Sequence, residues 1–448
     1  MKDAKWLSMA TFIFAAIGGV LYGYDLGIIS GALLFIRKSI PMTDNQMSFL
    51  VAAVLGGGSI ATLVTGPLSD WFGRRCMILL SSVIFIISVF IIVFAHTYGM
   101  LLFGRLVQGV GVGVITIAVP LYLTEVMPSK WRGRGVTAFQ LLLTVGILLA
   151  TLVGALFTHL GGNWRAMFLT AGIPGVVMFF GCFFLTDSPR WLAMKGRYDA
   201  ALAVLKKTRP LEEAKRELAQ MKKALLSGKK GLHGQGTIWQ KRYLLPLVIV
   251  FAVGILNQLT GINSFLQFSA IIFKTAGLSS DMVAIMGSSA ISGLNFIMTI
   301  IAFLLVDKVE RRTLVAIGTA GIVVALVSSG AMYAWLPDGH LKGWLLLCGI
   351  LVFIFFYALG PGALVWTILS ELLPSRVRSS GLAIALFLNS MASTVLASVF
   401  LALVDTIHYQ GVFWLCGGFT VIYCLLAVFA IPKTKGQSLE DIEEHFAK

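Results

Sequence analysis

Two charged side chains lie deep within otherwise apolar stretches, Asp25 in the stretch 9–35 and Arg105 in the stretch 100–122. A lone charge at the centre of a bilayer costs about 3 kcal/mol or more on insertion scales, so the two are expected to pair. A fixed pair would merely join two helices. The sharper reading is a proton switch, in which protonating Asp25 releases Arg105 and loosens the contact between their helices. Seven amides, Gln140, Asn257, Gln258, Asn263, Gln267, Asn295 and Asn389, also sit in apolar stretches. Amides both donate and accept, which is what a polyhydroxylated solute needs once its hydroxyls leave water. They serve equally as glue between helices. Asn263 and Gln267, four residues apart, share one helical face.

Other chemistries find little support. An enzyme would need a paired nucleophile and base or two carboxylates at one site, and the sequence offers neither. The six histidines are scattered singly, so no metal site is expected. Cys76, Cys182, Cys348, Cys416 and Cys424 read as packing residues. Gly109-Val110-Gly111-Val112-Gly113 looks like part of a dinucleotide-binding loop, but no strand precedes it; within a membrane span these glycines allow close helix contact. No cofactor is expected.

The elements that must position these residues follow from composition. Of 448 residues 12% are charged and 58% hydrophobic, and the mean hydropathy is +0.89, far from a soluble domain. Long apolar runs exclude a barrel and point to helices of about 20 residues. Spans are expected near 9–35, 47–67, 77–95, 100–122, 134–158, 166–186, 243–273, 282–305, 313–335, 343–369, 379–403 and 410–431. Lys2 and Lys5 ahead of the first run suggest a signal peptide, yet the run contains Asp25, is too long and lacks a small-residue cleavage site, so it stays as the first helix. The net charge of +15 would suggest nucleic acid in a soluble protein. Here 29 of the 35 Lys and Arg fall at the termini and in loops on one side, whereas Arg37, Lys38, Arg165, Lys274 and Lys342 fall on the other. The positive-inside bias therefore predicts cytoplasmic termini, a cytoplasmic middle loop and a multi-pass plasma-membrane protein (inner membrane if bacterial) with no nucleic-acid partner.

Internal repetition divides the chain. Ser69 to Arg75 resembles Val306 to Arg312 at an offset of 237, and Glu125, Pro128, Arg132 and Gly135 recur as Glu371, Pro374, Arg378 and Gly381 at an offset of 246. This predicts an all-α membrane protein of twelve helices in two pseudo-symmetric six-helix bundles, 1–186 and 243–431. A cytoplasmic linker over 187–242 carries 14 basic residues, and a tail occupies 432–448. In the linker, Leu211, Leu218, Met221 and Leu225 at helical spacing predict an amphipathic helix at the cytoplasmic surface. Ser438 before Leu439, Glu440 and Asp441 is a weak helix cap.

Several stretches together resemble the sugar porters of the major facilitator superfamily over essentially the whole chain. Gly18-Gly19-Val20-Leu21-Tyr22-Gly23-Tyr24-Asp25 is similar to that family's first-helix signature, and Gly66 to Arg75 to the loop between helices two and three. Asp187-Ser188-Pro189-Arg190-Trp191-Leu192 resembles its PESPR signature, Gln258-Leu259-Thr260-Gly261-Ile262-Asn263 its helix-seven motif, and Pro432-Lys433-Thr434-Lys435-Gly436 its PETKG motif. The resemblance implies the major facilitator fold and a monosaccharide solute held by the seven amides. It places Trp366, in Gly360-Pro361-Gly362-Ala363-Leu364-Val365-Trp366, as a ring that stacks on the sugar. The Gly-Pro pair there should break the tenth span and let it bend. An aspartate at the place of Asp25 accompanies proton symport in that family, whereas passive facilitators carry asparagine. The resemblance also implies a cytoplasmic gate of ion pairs among Asp70, Arg74, Arg75, Glu125 and Arg132 in one half and Asp307, Arg311, Arg312, Glu371 and Arg378 in the other.

Five positions depart from the family pattern. Asn257 replaces one of two glutamines, Gln267 a tyrosine, and Ser390 a bulky residue such as tryptophan; Lys433 replaces a glutamate and Glu310 a glycine. The first three alter the pocket, so the sugar is not named by the resemblance; the last two disturb the ion-pair gate. The sequence thus predicts a monomeric secondary transporter importing a hexose or pentose with protons by alternating access. Passive facilitation, polyol or myo-inositol transport, and a non-transporting sugar sensor are the alternatives, although about 17 residues after the last span leave little room for a sensor's signalling tail.

Overall fold

The computed structural model describes residues 2–127, 132–231, 241–278, 280–306, 308–373 and 378–432, and within helices the side chains of 1–16, 132–137, 224–231, 241–243, 306, 370 and 378–380 are outside that description. The described residues form helices throughout, because no water is at hand in hydrocarbon to pair a free backbone group.

The first six crossings are α1 (Lys2–Ser39), α2 (Asp44–Phe72), α3 (Arg74–Val93), α4 (Tyr98–Val126), α5 (Arg132–His159) and α6 (Trp164–Gly181). Three of these starts carry a side-chain cap of the type the sequence offers. Thr43 opens α2 with a reciprocal capping box, its hydroxyl accepting from the Gln46 amide at 3.2 Å while Gln46 Oε1 accepts from Thr43 N at 2.9 Å. Thr97 and Asn163 cap α4 and α6. The sixth span ends at Gly181 rather than 186, because Arg75 takes the carbonyls of Cys182 and Phe183 at 3.0 and 3.3 Å and satisfies the helix end there.

Three short helices follow: α7 (Pro189–Met194), α8 (Tyr198–Thr208) and α9 (Leu211–Gly231). They enclose a small core of Leu192, Ala193, Ala201, Leu205, Ala214 and Leu218. Leu218 and Met221 join that core as their spacing suggests, whereas Leu211 at the start of α9 is exposed and Leu225 lies outside the described side chains. Arg209 ties the group to the end of α4, donating to Met127 O at 3.0 Å while pairing with Glu217 at 2.7 Å.

The second set comprises α10 (Lys241–Leu259), α11 (Ile262–Thr275), α12 (Asp281–Val306), α13 (Arg311–Trp335), α14 (His340–Leu359), α15 (Pro361–Glu371) and α16 (Arg378–Phe429). Helix α16 turns at His408, whose φ of 56° is non-helical, so its limbs 378–407 and 409–429 make two crossings. The α14–α15 break falls at Gly360-Pro361, as the Gly-Pro pair predicts. The seventh span, expected to be continuous, breaks between α10 and α11 at Gly261, whose φ of 88° strains any residue with a Cβ. Twelve crossings result among the described residues.

Helices α1, α4, α5 and α6 pack together, as do α2 with α4 and α3 with α4 and α6; in the other set α10, α13 and α16 form the corresponding core. The two sets meet where α1 packs on α11, α2 on α16 and α5 on α12. Among the described residues, side-chain contacts between them lie from the middle toward the Lys38 end: Lys38 to Asp281 at 3.1 Å, Ser48 to the Leu401 amide at 3.0 Å, Ser59 to Thr394 at 3.4 Å, and an apolar cluster of Leu34, Ala155, Ala270 and Ile285. Large apolar side chains such as Phe103, Leu304, Trp335 and Phe429 face outward, as a lipid-facing surface requires.

Of the glycines of 109–113, Gly109 and Gly113 bring α4 against α2, and Gly111 faces α3. A Cβ on Gly113 would stand 2.5 Å from Gly58 O and 2.8 Å from the Cβ of Ala61. Alanine gains about 1 kcal/mol of helix propensity over glycine, but forced overpacking costs about 1–3 kcal/mol. Gly113→Ala is expected to lower the melting temperature of the detergent-purified protein, while Gly99→Ala, with nothing within 4 Å of its Cβ, leaves it level or raises it. Equal melting temperatures for the two variants would contradict the close α2–α4 contact.

Candidate functional site

Asp25 and Arg105 meet, as their shared cost in an apolar setting demands. The NH1 of Arg105 on α4 donates to Asp25 Oδ1 on α1 at 2.7 Å, and both side chains are sealed from solvent. The same NH1 also donates to Gln108 Oε1 at 2.8 Å, and the guanidinium lies 5.6 Å from the centre of the Phe168 ring of α6. Nearby, Tyr24 and Thr170 share a hydroxyl hydrogen bond of 2.8 Å between α1 and α6. Removing one member of such a pair would leave the other charge buried and uncompensated, so the pair also fixes α1 to α4.

The amides gather around the broken seventh span. Asn263, at the start of α11, donates to Gln258 Oε1 and to Ser393 Oγ, both at 2.9 Å. Gln258 donates to Asn389 Oδ1 at 3.0 Å, and Asn389 donates to Gly254 O at 3.3 Å. Asn257 reaches Tyr357 Oη at 3.3 Å. A cavity between the halves is lined by Leu26, Gly27, Ile147 and Thr151 of the first and Asn263, Leu266, Gln267 and Ser292 of the second. Gln267 is buried, and its Nε2 has no hydrogen-bond partner among the described residues; the same holds for Asn257 Oδ1. Gln140 on α5, Asn295 on α12 and Trp366 on α15 make no described hydrogen bond to the amide chain, and Trp366 is 41% exposed.

At the Arg74 end, buried Arg74 donates to Ser69 O and lies 2.9 Å from both Asp70 and Glu125. Ser188, the cap of α7, donates to the same Glu125 oxygen, and Trp191 Nε1 donates to Asp70 O at 3.1 Å. Arg311 pairs with Glu371 at 3.1 Å. Each of these pairs stays within one half or joins it to the linker. Two expected members differ: Arg75 serves the α6 carbonyls, and Arg312 donates to Val428 O, because helix ends leave carbonyls that a guanidinium satisfies. Asp307 and Lys433, the Ser438 cap and the side chains of Arg132 and Arg378 lie outside the described residues.

The sequence reading missed Gln108, Tyr357, Ser393, Thr151 and Ser292. Gln108 carried a signal, a polar residue three positions after Arg105 in an apolar span. Ser393 likewise stands four residues after Asn389. Hydroxyls are common within spans, where they bond their own helix, so Thr151 and Ser292 gave no signal.

Known proteins share this architecture. The chain is 34% identical over 444 residues to the glucose transporter GlcP of Staphylococcus epidermidis, covering 99% of this chain and 97% of the relative. It is 29% identical over 450 residues to the galactose-proton symporter of Escherichia coli K12, covering 100% and 96%. Among solved structures, the proton:xylose symporter XylE bound to 6-bromo-6-deoxy-D-glucose superposes with a TM-score of 0.79 at 26% identity, over 99% of both chains. A partially occluded inward-open conformation of XylE from E. coli gives 0.83 at 25% identity, over 96% of this chain and 99% of that one. Residues 11–446 match the family described as sugar (and other) transporter, and the chain belongs to that family.

Proposed function

We propose that this chain imports a monosaccharide together with protons, the two halves rocking about a central site so that it opens to each face in turn. The observation that carries the reading is the buried Asp25–Arg105 pair beside a small cavity between the halves, since Leu26 and Gly27, the next residues of α1, line that cavity with the amides Asn263 and Gln267. A relative named as a galactose-proton symporter and a structural neighbour named as a proton:xylose symporter support it. Asp25 takes up the proton, Arg105 is its counter-ion, and Gln140, Asn257, Gln258, Asn263, Gln267, Asn295, Asn389 and Trp366 are the solute candidates.

The chain divides into bundles 1–186 and 243–431 with linker 187–242 and tail 432–448, and works as a monomer with both termini in the cytoplasm. The excess of Lys and Arg at the Arg74 end supports that orientation. The inter-half contacts then belong to the outer side, which fits a carrier open toward the cytoplasm.

Counterflow in proteoliposomes with hexoses, pentoses and inositol identifies the solute; exchange of none of them rejects the sugar reading. Asn263→Ala, which removes the donor shared by Gln258 and Ser393, is expected to raise the KM for the exchanged sugar about tenfold, an effect of about 1.4 kcal/mol. An unaltered KM would confine Asn263 to helix packing. Asp25→Asn keeps the shape but has no group that can take up and release a proton in the working pH range, so it should retain counterflow and lose accumulation driven by an acid-outside gradient. Undiminished accumulation would exclude Asp25 as the coupling site.

A further inference from the structure

Gln108 occupies a place in the buried charge cluster that ion pairing alone does not require. Its side chain is fully buried, and its Oε1 accepts from the same Arg105 nitrogen that serves Asp25, at 2.8 Å against 2.7 Å. Three polar atoms of the cluster, Asp25 Oδ2, Arg105 Nε and Gln108 Nε2, have no hydrogen-bond partner among the described residues. A buried, half-satisfied cluster is costly at rest and suits a site whose bonds must be exchanged.

We propose that Gln108 is a positioning residue for the proton-coupled step, the neutral acceptor that holds Arg105 to α4 once Asp25 takes up a proton, and that it thereby sets the pH at which the α1–α4 ion pair opens. The proposal rests on the reading of Asp25 as the coupling site. A guanidinium stays charged whatever its partner does. When Asp25 becomes neutral, the Arg105 charge must be met by something else or the ion pair will resist protonation. Gln108 lies three residues further along the same helix, so its bond survives any movement of α1 away from α4. The Phe168 ring assists from α6.

No other charge competes at this point among the described residues. Tyr22 on α1 is the remaining titratable group bearing on Asp25, with Tyr357 of α14 beyond it. On the other helices packed against α1, Lys274 of α11 and Asp281 of α12 pair with each other at the Lys38 end, and Arg165 of α6 is bound to the carbonyls of Val93 and Ala95.

The test is the pH profile of gradient-driven sugar uptake in proteoliposomes, each variant scaled to its own maximum. Q108L removes the neutral acceptor, makes the Asp25 carboxylate the main partner of Arg105, and is expected to move the profile toward acid by about one pH unit, the tenfold effect of losing a hydrogen bond to a charged group. Q108E supplies a competing carboxylate, frees Asp25 to protonate, and moves the profile toward alkali. A residue needed only for packing would not give shifts of opposite sign. Should Q108L fail to fold, the sign of the Q108E shift decides alone. Unmoved profiles, or shifts of the same sign, overturn the role of Gln108. If Asp25→Asn abolishes accumulation while the Gln108 variants leave the profile in place, only this inference falls; if Asp25→Asn accumulates sugar normally, the coupling reading falls with it.

Discussion

A carboxylate and a guanidinium closed off from water constrain almost everything near them. Neither charge is tolerable alone, so the helices bearing them stay together as long as both are charged. The pair sits on α1 and α4, and α1 also packs against α5 and α6 in its own half and against α11 across the interface. Whatever changes the charge of Asp25 therefore acts on the helix with the widest set of neighbours. Part of the side-chain contact between the halves lies on the same helix, where Lys38 meets Asp281 and Leu34 joins Ala155, Ala270 and Ile285.

The second half handles its polar groups differently. Gly254, Gln258, Asn263, Asn389 and Ser393 form a chain of neutral hydrogen bonds linking α10, α11 and the first limb of α16 across the break at Gly261. The two readings that amides allow, helix glue and solute ligand, are therefore compatible here. Each internal bond is worth only about 1 kcal/mol net, so a solute hydroxyl that offers an equivalent bond can take its place at small cost. Gln267 and Asn257 each retain an amide atom with no hydrogen-bond partner among the described residues, and Gln267 lines the cavity between the halves.

Much of this was legible because hydrocarbon leaves few options. Long apolar runs became the crossings, the Gly-Pro pair became the α14–α15 break, and the glycines of 109–113 became a close helix contact rather than a nucleotide loop. Asp25 and Arg105 found each other because each is too costly alone. The break at Gly261 was hidden, because the residues on both sides read as one apolar run and a glycine there fits a continuous span equally well. The roles of Arg75 and Arg312 were hidden too. A basic residue at a helix end can meet a carboxylate or a carbonyl, and only the placement of α6 and of the second limb of α16 decides for the carbonyl. Leu211 matched the amphipathic spacing of α9 and is exposed at the first position of that helix, outside the core that α7, α8 and α9 enclose.

The roles proposed for the ion pair and for the amides agree with the energetics of the two clusters. A charge inside a sugar's cavity would hold water tightly, and the sugar would have to strip that water before gaining its own bonds. Neutral amides exchange one modest hydrogen bond for another, so the solute is admitted and released without a large barrier. A proton switch needs the reverse, a site dry enough that a single charge change outweighs packing. The two requirements conflict within one cavity but not across one helix. Asp25 faces the dry α4 side, whereas Leu26 and Gly27 face the cavity with Asn263 and Gln267. Helix α1 thus carries both environments within three residues, and any movement that opens the ion pair also changes the wall of the cavity.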